Sequence, residues 1–321
     1  MISAQERRWA LAFALLLMVV TTIPYWLGYF CEGAAWRFSG FVFGVEDGNS
    51  YIAKMLAGAS GDFLFRTPYT AFPQSGVVAF LPYLLLGKLS SPPAQHEQLV
   101  ALFHLFRWLG GFGFVLACYT FIALFIPAVR WRRWGTALAS VGGGLGWLAI
   151  LGLGRLFHDG LPLEFYSPET FGFLSIYGLP HLALGRALLL GGLVCYLKPA
   201  GSQATRQAVW GGLLWLLLGF MQPLTVVVAW AVLGTHLAGT ALLAKLGRLS
   251  VGHEGEVPLA VYWRKAVLMV LLSSPLVLYT VVSFASDPYL KQWAVQNRVL
   301  SPPPLDYLLA YGLVLPLAGW G

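Results

Sequence analysis

The sequence predicts an all-α protein, a polytopic transmembrane bundle of about eight spans with interfacial helices in its loops. Three observations predict it. Of 321 residues, 58% are hydrophobic and only 10% are charged, where a soluble domain carries about 25% charged residues. The mean hydropathy is +0.71. The apolar residues form long continuous runs, not alternating ones, which favours helices over a β-barrel as the way to satisfy backbone polar groups in lipid. Trp and Tyr gather near segment ends, where an interfacial belt places them. In this setting the net charge of +7 reports topology and gives no reason to invoke nucleic acid.

The expected spans are 9–30, 99–126, 134–154, 180–198, 208–222, 224–244, 266–285 and 306–321. Each is near the roughly 20 residues needed to cross. The first follows Arg7-Arg8 and is too long for the apolar core of a signal peptide, so it reads as an uncleaved helix. The run 208–244 exceeds one span, and Met221-Gln222-Pro223 near its middle divides it into a hairpin. Residues 77–89 form a shorter apolar run, expected as a re-entrant or interfacial helix. Gly142-Gly143-Gly144-Leu145-Gly146 superficially matches a phosphate-binding glycine loop, but within a span small residues serve close helix packing. The final segment stops without a basic flank, and we expect one transmembrane domain over 1–321 that is a C-terminally truncated fragment.

Orientation follows from the basic clusters. Arg7-Arg8, Arg130, Arg132 and Arg133, Lys198 with Arg206, and Lys245, Arg248, Arg264 and Lys265 fall on one side under this topology. That side holds 11 of the 20 Lys and Arg and 3 of the 13 acids, leaving 9 and 10 elsewhere. The positive-inside rule makes it cytoplasmic, in an inner (plasma) membrane with a cytoplasmic N-terminus. The long loops, about 31–98, 155–179 and 286–305, then lie outside, where function is expected. Cys31, Cys118 and Cys195 show no paired spacing, and no Walker loop, GxSxG or HExxH is present.

The first loop is the richest in chemistry. Glu46-Asp47 precedes an apolar pattern, Tyr51, Ile52, Met55, Leu56 and Ala59, that reads as a surface helix with Asn49 or Ser50 as its N-cap and Lys54 on the opposite face. The acidic pair is either a catalytic base or metal site, or a stabiliser of the helix N-terminus. Residues 63–74 read as an ordered aromatic and proline-rich loop, whose Arg66 pairs with a lipid phosphate or with Asp62 or Glu46. In the second loop, His181 and Arg186 line a polar cavity, or else cap a helix and snorkel; Arg107 poses the same question in the second span. His158, Asp159 and His181 match no trusted metal spacing. Gln222 sits at the hairpin turn. The third loop reads as a short amphipathic helix stopped by Pro302-Pro303-Pro304, with Lys291 and Arg298 as surface cations and Gln296-Asn297 suited to sugar hydroxyls.

This arrangement of one span, a large first outer loop with an acidic pair near its start, an interfacial helix and many later spans resembles the GT-C superfamily of integral-membrane glycosyltransferases. Glu46 to Pro73, Leu179 to Gly185 and Ser286 to Tyr311 also look like a family of uncharacterised bacterial multi-pass proteins. The resemblance implies transfer of a sugar from a polyprenyl-phosphate-linked donor to a glycan, lipid or protein acceptor on the extracytoplasmic face. It implies Asp47 or Glu46 as base, and Arg66, Lys291 and Arg298 near the donor phosphate. His181, Arg186 and Gln222 would line the cavity. A divalent metal beside the acidic pair is compatible with it. Glu46-Asp47 departs from the two aspartates that many members show. Two other readings stand beside it: a transporter or flippase using Arg107, His181 and Arg186, and a non-catalytic membrane subunit.

Overall fold

A computed structural model of the chain describes residues 2–157, 160–199, 201–247, 258–296, 300–312 and 314–320. The elements in order are α1 (Ala4–Phe30), α2 (Val45–Ala59), α3 (Leu81–Gly87), α4 (Gln95–Ile122), α5 (Val129–Val141), α6 (Leu163–Tyr166), α7 (Gly172–Gly178), α8 (Pro180–Leu197), α9 (Ala204–Gly219), α10 (Pro223–Lys245), α11 (Leu259–Ser286), α12 (Pro288–Gln296), α13 (Pro304–Tyr311) and α14 (Val314–Trp320). Among the described residues there is no strand, only two isolated bridges, Gly33↔Trp36 and Phe65↔Val77.

Among the described residues five helices are long and apolar enough to cross a membrane: α1, α4, α8, α10 and α11. This is fewer than the eight spans the sequence predicts, and the reasons are local. The predicted span at 134–154 breaks because α5 ends at Val141 and Gly142 takes up extended backbone. The predicted span at 306–321 is divided at Gly312, which has φ +49°, into α13 and α14. The predicted span at 208–222 is α9, whose 16 residues reach about 24 Å at 1.5 Å per residue, short of the roughly 30 Å hydrocarbon core.

α4 and α8 run parallel at the centre of the bundle. Gly110 meets Pro180 and Ala183, and Gly113 meets Ala187, so the missing side chains let the two backbones approach. α9 returns antiparallel to α8, with Trp215 lying on Gly192 and its indole N–H donating to Leu189 O. α11 packs along α9 in turn, Met269 and Leu272 against Gly211 and Gly212. Counting directions, the segment 31–94, the α9–α10 turn and α12 gather at one end of the bundle. The starts of α1, α9 and α11 and the ends of α4 and α8 gather at the other.

That second end is the basic one, and its buried charges are paired. Glu6 accepts from Arg132 at 2.7 Å and from the Tyr119 hydroxyl at 2.9 Å, and it completes a capping box with Ser3. Lys265, fully buried, donates to Tyr196 O, Lys198 O and Gln207 Oε1. It thereby satisfies carbonyls left open at the α8 C-terminus, where the helix dipole favours a cation.

The segment at 155–179, expected as an outer loop, instead enters the bundle where it is described. Ser175 and Ile176 of α7 are fully buried, and Gly172 lies against Phe114 and the Ala139 carbonyl. Arg107 holds α7 in place. It donates to Thr21 and Thr22 hydroxyls of α1 and to Ile176 O, with its guanidinium 4.8 Å from the Tyr25 ring centroid. The glycine run lies outside a span but does allow close packing, since a Cβ on Gly144 would enter the space of Ala310 O in α13. It forms a turn in which the N–H groups of Gly144 and Gly146 donate to Glu164 Oε1, so an anion-binding nest is filled by the chain's own carboxylate.

α2 and α3 cross by reciprocal glycine contact. A Cβ on Gly58 would enter the space of Leu84 O, and one on Gly87 the space of Met55 O. Gly58→Ala is expected to lower stability by about 1–3 kcal/mol, because a backbone carbonyl cannot move aside. Limited proteolysis between residues 60 and 80 checks this: cleavage no faster than wild type would count against the close crossing.

Candidate functional site

The helix that carries the acidic pair begins earlier than the sequence indicates. Its N-cap is Gly44 in the left-handed conformation at φ +59°, not Asn49 or Ser50. Glu46 and Asp47 therefore sit in its first turn, with no side-chain cap on the first N–H groups. Both are exposed. Among the described residues no hydrogen bond or salt bridge engages either carboxylate.

Helical spacing separates the two. Asp47 and Lys54 are seven residues apart and so fall within about 20° of one another, while Glu46 is turned about 100° from Asp47. Lys54 is not on a solvated face: it is 7% exposed. Its Nζ donates to Ser50 Oγ at 2.5 Å and lies 4.4 Å from the Phe80 ring centroid, 4.9 Å from Tyr51 and 5.7 Å from Phe65. Burial lowers the Lys54 pKa to about 8, opposed by the Asp47 charge. The burial comes from the segment 65–80, which closes over α2 through the Phe65↔Val77 bridge and through reciprocal Thr67–Gln74 hydrogen bonds at 2.8 and 2.9 Å.

Lys54 lines a cavity of about 150 Å³ with Ser50, Phe65, Thr67, Phe80 and Trp293. Phe80 and Trp293 also line a mostly apolar groove of about 150 Å³ that runs between α9, α11 and the start of α10, past Gly219, Pro223, Leu276 and Phe284. On the other side, Tyr69, Tyr289 and Trp293 are shared with a cleft of about 340 Å³ between residues 69–72 and α12. Trp293 is therefore a wall of all three spaces. Their walls are fixed by Val78 N donating to Tyr279 Oη at 2.9 Å and by Phe72 stacked on Tyr289. Asp287 caps α12 by accepting from Leu290 N at 3.0 Å. That bond, with others from Tyr289 and Ser75, holds its carboxyl below the usual range.

The other sequence candidates are placed apart. Arg66 is exposed and pairs with neither Asp62 nor Glu46; its guanidinium lies by Gly76. Lys291 is exposed on the side of α12 opposite Trp293 and lines none of the three spaces. Arg298, and likewise His158 and Asp159, lie outside the described residues. His181 is hydrogen bonded through Nδ1 to the Tyr83 hydroxyl at 2.8 Å, below Tyr51. Arg186 points to another face of α8, where Nη2 donates to Pro168 O and Glu169 O at 2.8 Å and Nη1 has no partner. Gln222 is the N-cap residue of α10, its Oε1 against Gly185. His181, Arg186 and Gln222 thus do not share one of these cavities. Among the described residues no group of three His, Cys, Asp or Glu side chains is placed to hold a metal ion.

Scans against protein-family models, curated proteins and solved structures find no match to this chain. Sequence reasoning missed Lys54. Its position at i+7 from Asp47 was visible, but the cover that buries it is not a local property.

Proposed function

We propose that the protein is a membrane glycosyltransferase acting on a polyprenyl-phosphate-linked sugar at the extracytoplasmic surface. The observation that carries this reading is that Asp47 and Lys54 share one face of α2, and Lys54 lines a cavity that has Phe80 and Trp293 as walls in common with an apolar groove between helices. A lipid-linked phosphate needs both an intramembrane slot for its chain and a cation where the chain meets the surface. The groove and Lys54 supply them in adjoining spaces. The excess of Lys and Arg at the opposite end of the bundle supports placing this end outside.

In the proposed step an acceptor hydroxyl or amine attacks the anomeric carbon as its proton passes to the Asp47 carboxylate. The bond from that carbon to the phosphate oxygen breaks, and its electron pair leaves on the polyprenyl phosphate, whose added negative charge the Lys54 ammonium stabilises. Seven helical residues span about 10 Å, which leaves room for a sugar ring between the base and the leaving group. Glu46, turned to the neighbouring face, and Arg66 and Lys291 are peripheral in this scheme. A transport reading has less to draw on, because Arg107, His181 and Arg186 are each engaged within the bundle.

Full-length protein in liposomes, given a panel of polyprenyl-linked sugars and membrane-extract acceptors, is expected to consume one donor class. Neither consumption nor binding of any donor would sink the reading. Its pH dependence is also fixed in sign. Only protonated Lys54 binds the anion, so donor Kd is flat below about 8 and rises about tenfold for each pH unit above it. Lys54→Gln should bind weakly with no such break; a wild-type profile flat to pH 10 would remove Lys54 from the phosphate site.

A further inference from the structure

The cleft between residues 69–72 and α12 has a composition of its own. Its walls carry Tyr69, Phe72, Tyr289 and Trp293, together with Gln292 and Gln296. Among the described residues no charged side chain lines it. Gln292 and Gln296 are four residues apart and so lie on one face of α12, on the same side as Tyr289 and Trp293. At about 340 Å³ the space is within the range of small-molecule sites.

We propose that this cleft binds an uncharged saccharide ring. A pyranose or furanose presents C–H bonds on its flat faces and hydroxyls around its edge. The C–H faces suit the electron-rich faces of Trp and Tyr. Each hydroxyl is both donor and acceptor, and a glutamine amide offers both, so two amides on one wall match a ring edge without wasting a hydrogen bond. Among the described residues a charged ligand would meet no group of opposite sign in exchange for its hydration.

An ordinary interfacial belt does not account for the arrangement. Belt residues ring the outer perimeter of a bundle and face lipid headgroups. Here aromatic residues from two segments more than 200 positions apart face a shared space, with Phe72 and Tyr289 in ring contact at 6.2 Å. Three of the walls, Tyr69, Tyr289 and Trp293, are also walls of the Lys54 cavity. In its position, though not in its chemistry, the proposal rests on the transferase reading. A sugar in the cleft would share these three walls with the Lys54 cavity.

The test is saturation-transfer NMR on full-length protein in nanodiscs, with methyl glycosides of a hexose, an N-acetylhexosamine and a pentose as probes. Trp293→Leu, the pair Gln292→Ala with Gln296→Ala, and Trp147→Leu, an exposed tryptophan away from the cleft, are compared with wild type. We expect transfer to the ring-face protons of at least one glycoside. Its Kd should rise about tenfold in Trp293→Leu, the loss of one stacking partner, and stay unchanged in Trp147→Leu. The glutamine pair keeps the α12 aromatics and should weaken binding even if Trp293→Leu fails to fold. No binding of any glycoside by wild type, or wild-type affinity in the glutamine pair and in a folded Trp293→Leu, would overturn the proposal. Donor consumption with glycoside affinity insensitive to the cleft would remove the cleft and leave the transferase. Glycoside binding at the cleft by a protein that neither binds nor consumes donor would do the reverse.

Discussion

Asp47→Asn is expected to reduce sugar transfer by on the order of 10²- to 10⁴-fold, the range a positioned general base contributes, while donor binding persists. Asn keeps the size and hydrogen-bonding edge of the side chain but cannot accept the proton. The donor contacts come from Lys54 and the apolar groove, which the substitution leaves alone. Glu46→Gln serves as the internal control, because Glu46 is equally exposed and one residue away but on a neighbouring face of α2. Single-turnover transfer measured alongside donor binding separates the outcomes. If the two substitutions cost the same, or if Asp47→Asn loses binding and rate together, the carboxylate acts through the helix N-terminus or the local fold and not as the base.

The second large effect lies at the opposite end of the bundle. Glu6 and Arg132 form a buried ion pair at 2.7 Å, with side chains 7% and 11% exposed. Arg132→Met leaves a buried carboxylate whose remaining partners are the Tyr119 hydroxyl and Ser3, and should cost about 3–5 kcal/mol of stability. Adding Glu6→Leu removes the orphaned charge and should recover most of the loss, since two apolar groups of similar volume replace a pair whose desolvation offsets its attraction. Unfolding in detergent of wild type, both single variants and the double variant measures this as a cycle. If the double variant is no more stable than Arg132→Met, the pair contributes through packing and not charge.

Much of the membrane architecture was legible because it depends on local composition. The runs in α1, α4, α8, α10 and α11 are continuous enough that length and hydropathy alone identify them, and the turn at Gln222-Pro223 was marked by its proline. Errors arose where apolar composition and helical continuity part. Residues 134–154 are apolar enough to span, but three consecutive glycines after Val141 release the helix. The N–H groups of Gly144 and Gly146 were then available to Glu164, a partner 18 to 20 residues on. The start of α2 was misplaced because Gly44 caps it through a left-handed backbone, while Asn49 and Ser50, the better capping side chains, lie inside the helix.

The candidate site was half legible. The acidic pair stands out in so apolar a chain, and its place on α2 follows from the pattern around Tyr51 and Met55. The environment of Lys54 does not. It depends on Phe65 and Phe80 folding back and on Trp293 arriving from the far end of the chain, and no local period encodes such contacts. α12 ends at Gln296, before the triple proline, and Pro304 opens the next helix, α13, a position where its missing N–H costs nothing.

The junction of residues 65–80 with α11 and α12 gives this protein a built-in order of maturation. The acidic pair, Lys54 and the aromatic strap emerge early in synthesis, whereas Tyr289 and Trp293, which line the cavity, and Tyr279, which holds Val78, emerge later. A nascent chain can therefore have most of its apolar helices in the bilayer and still present an open, unfinished α2. The Lys54 cavity takes its described walls only once α12 has reached residues 65–80.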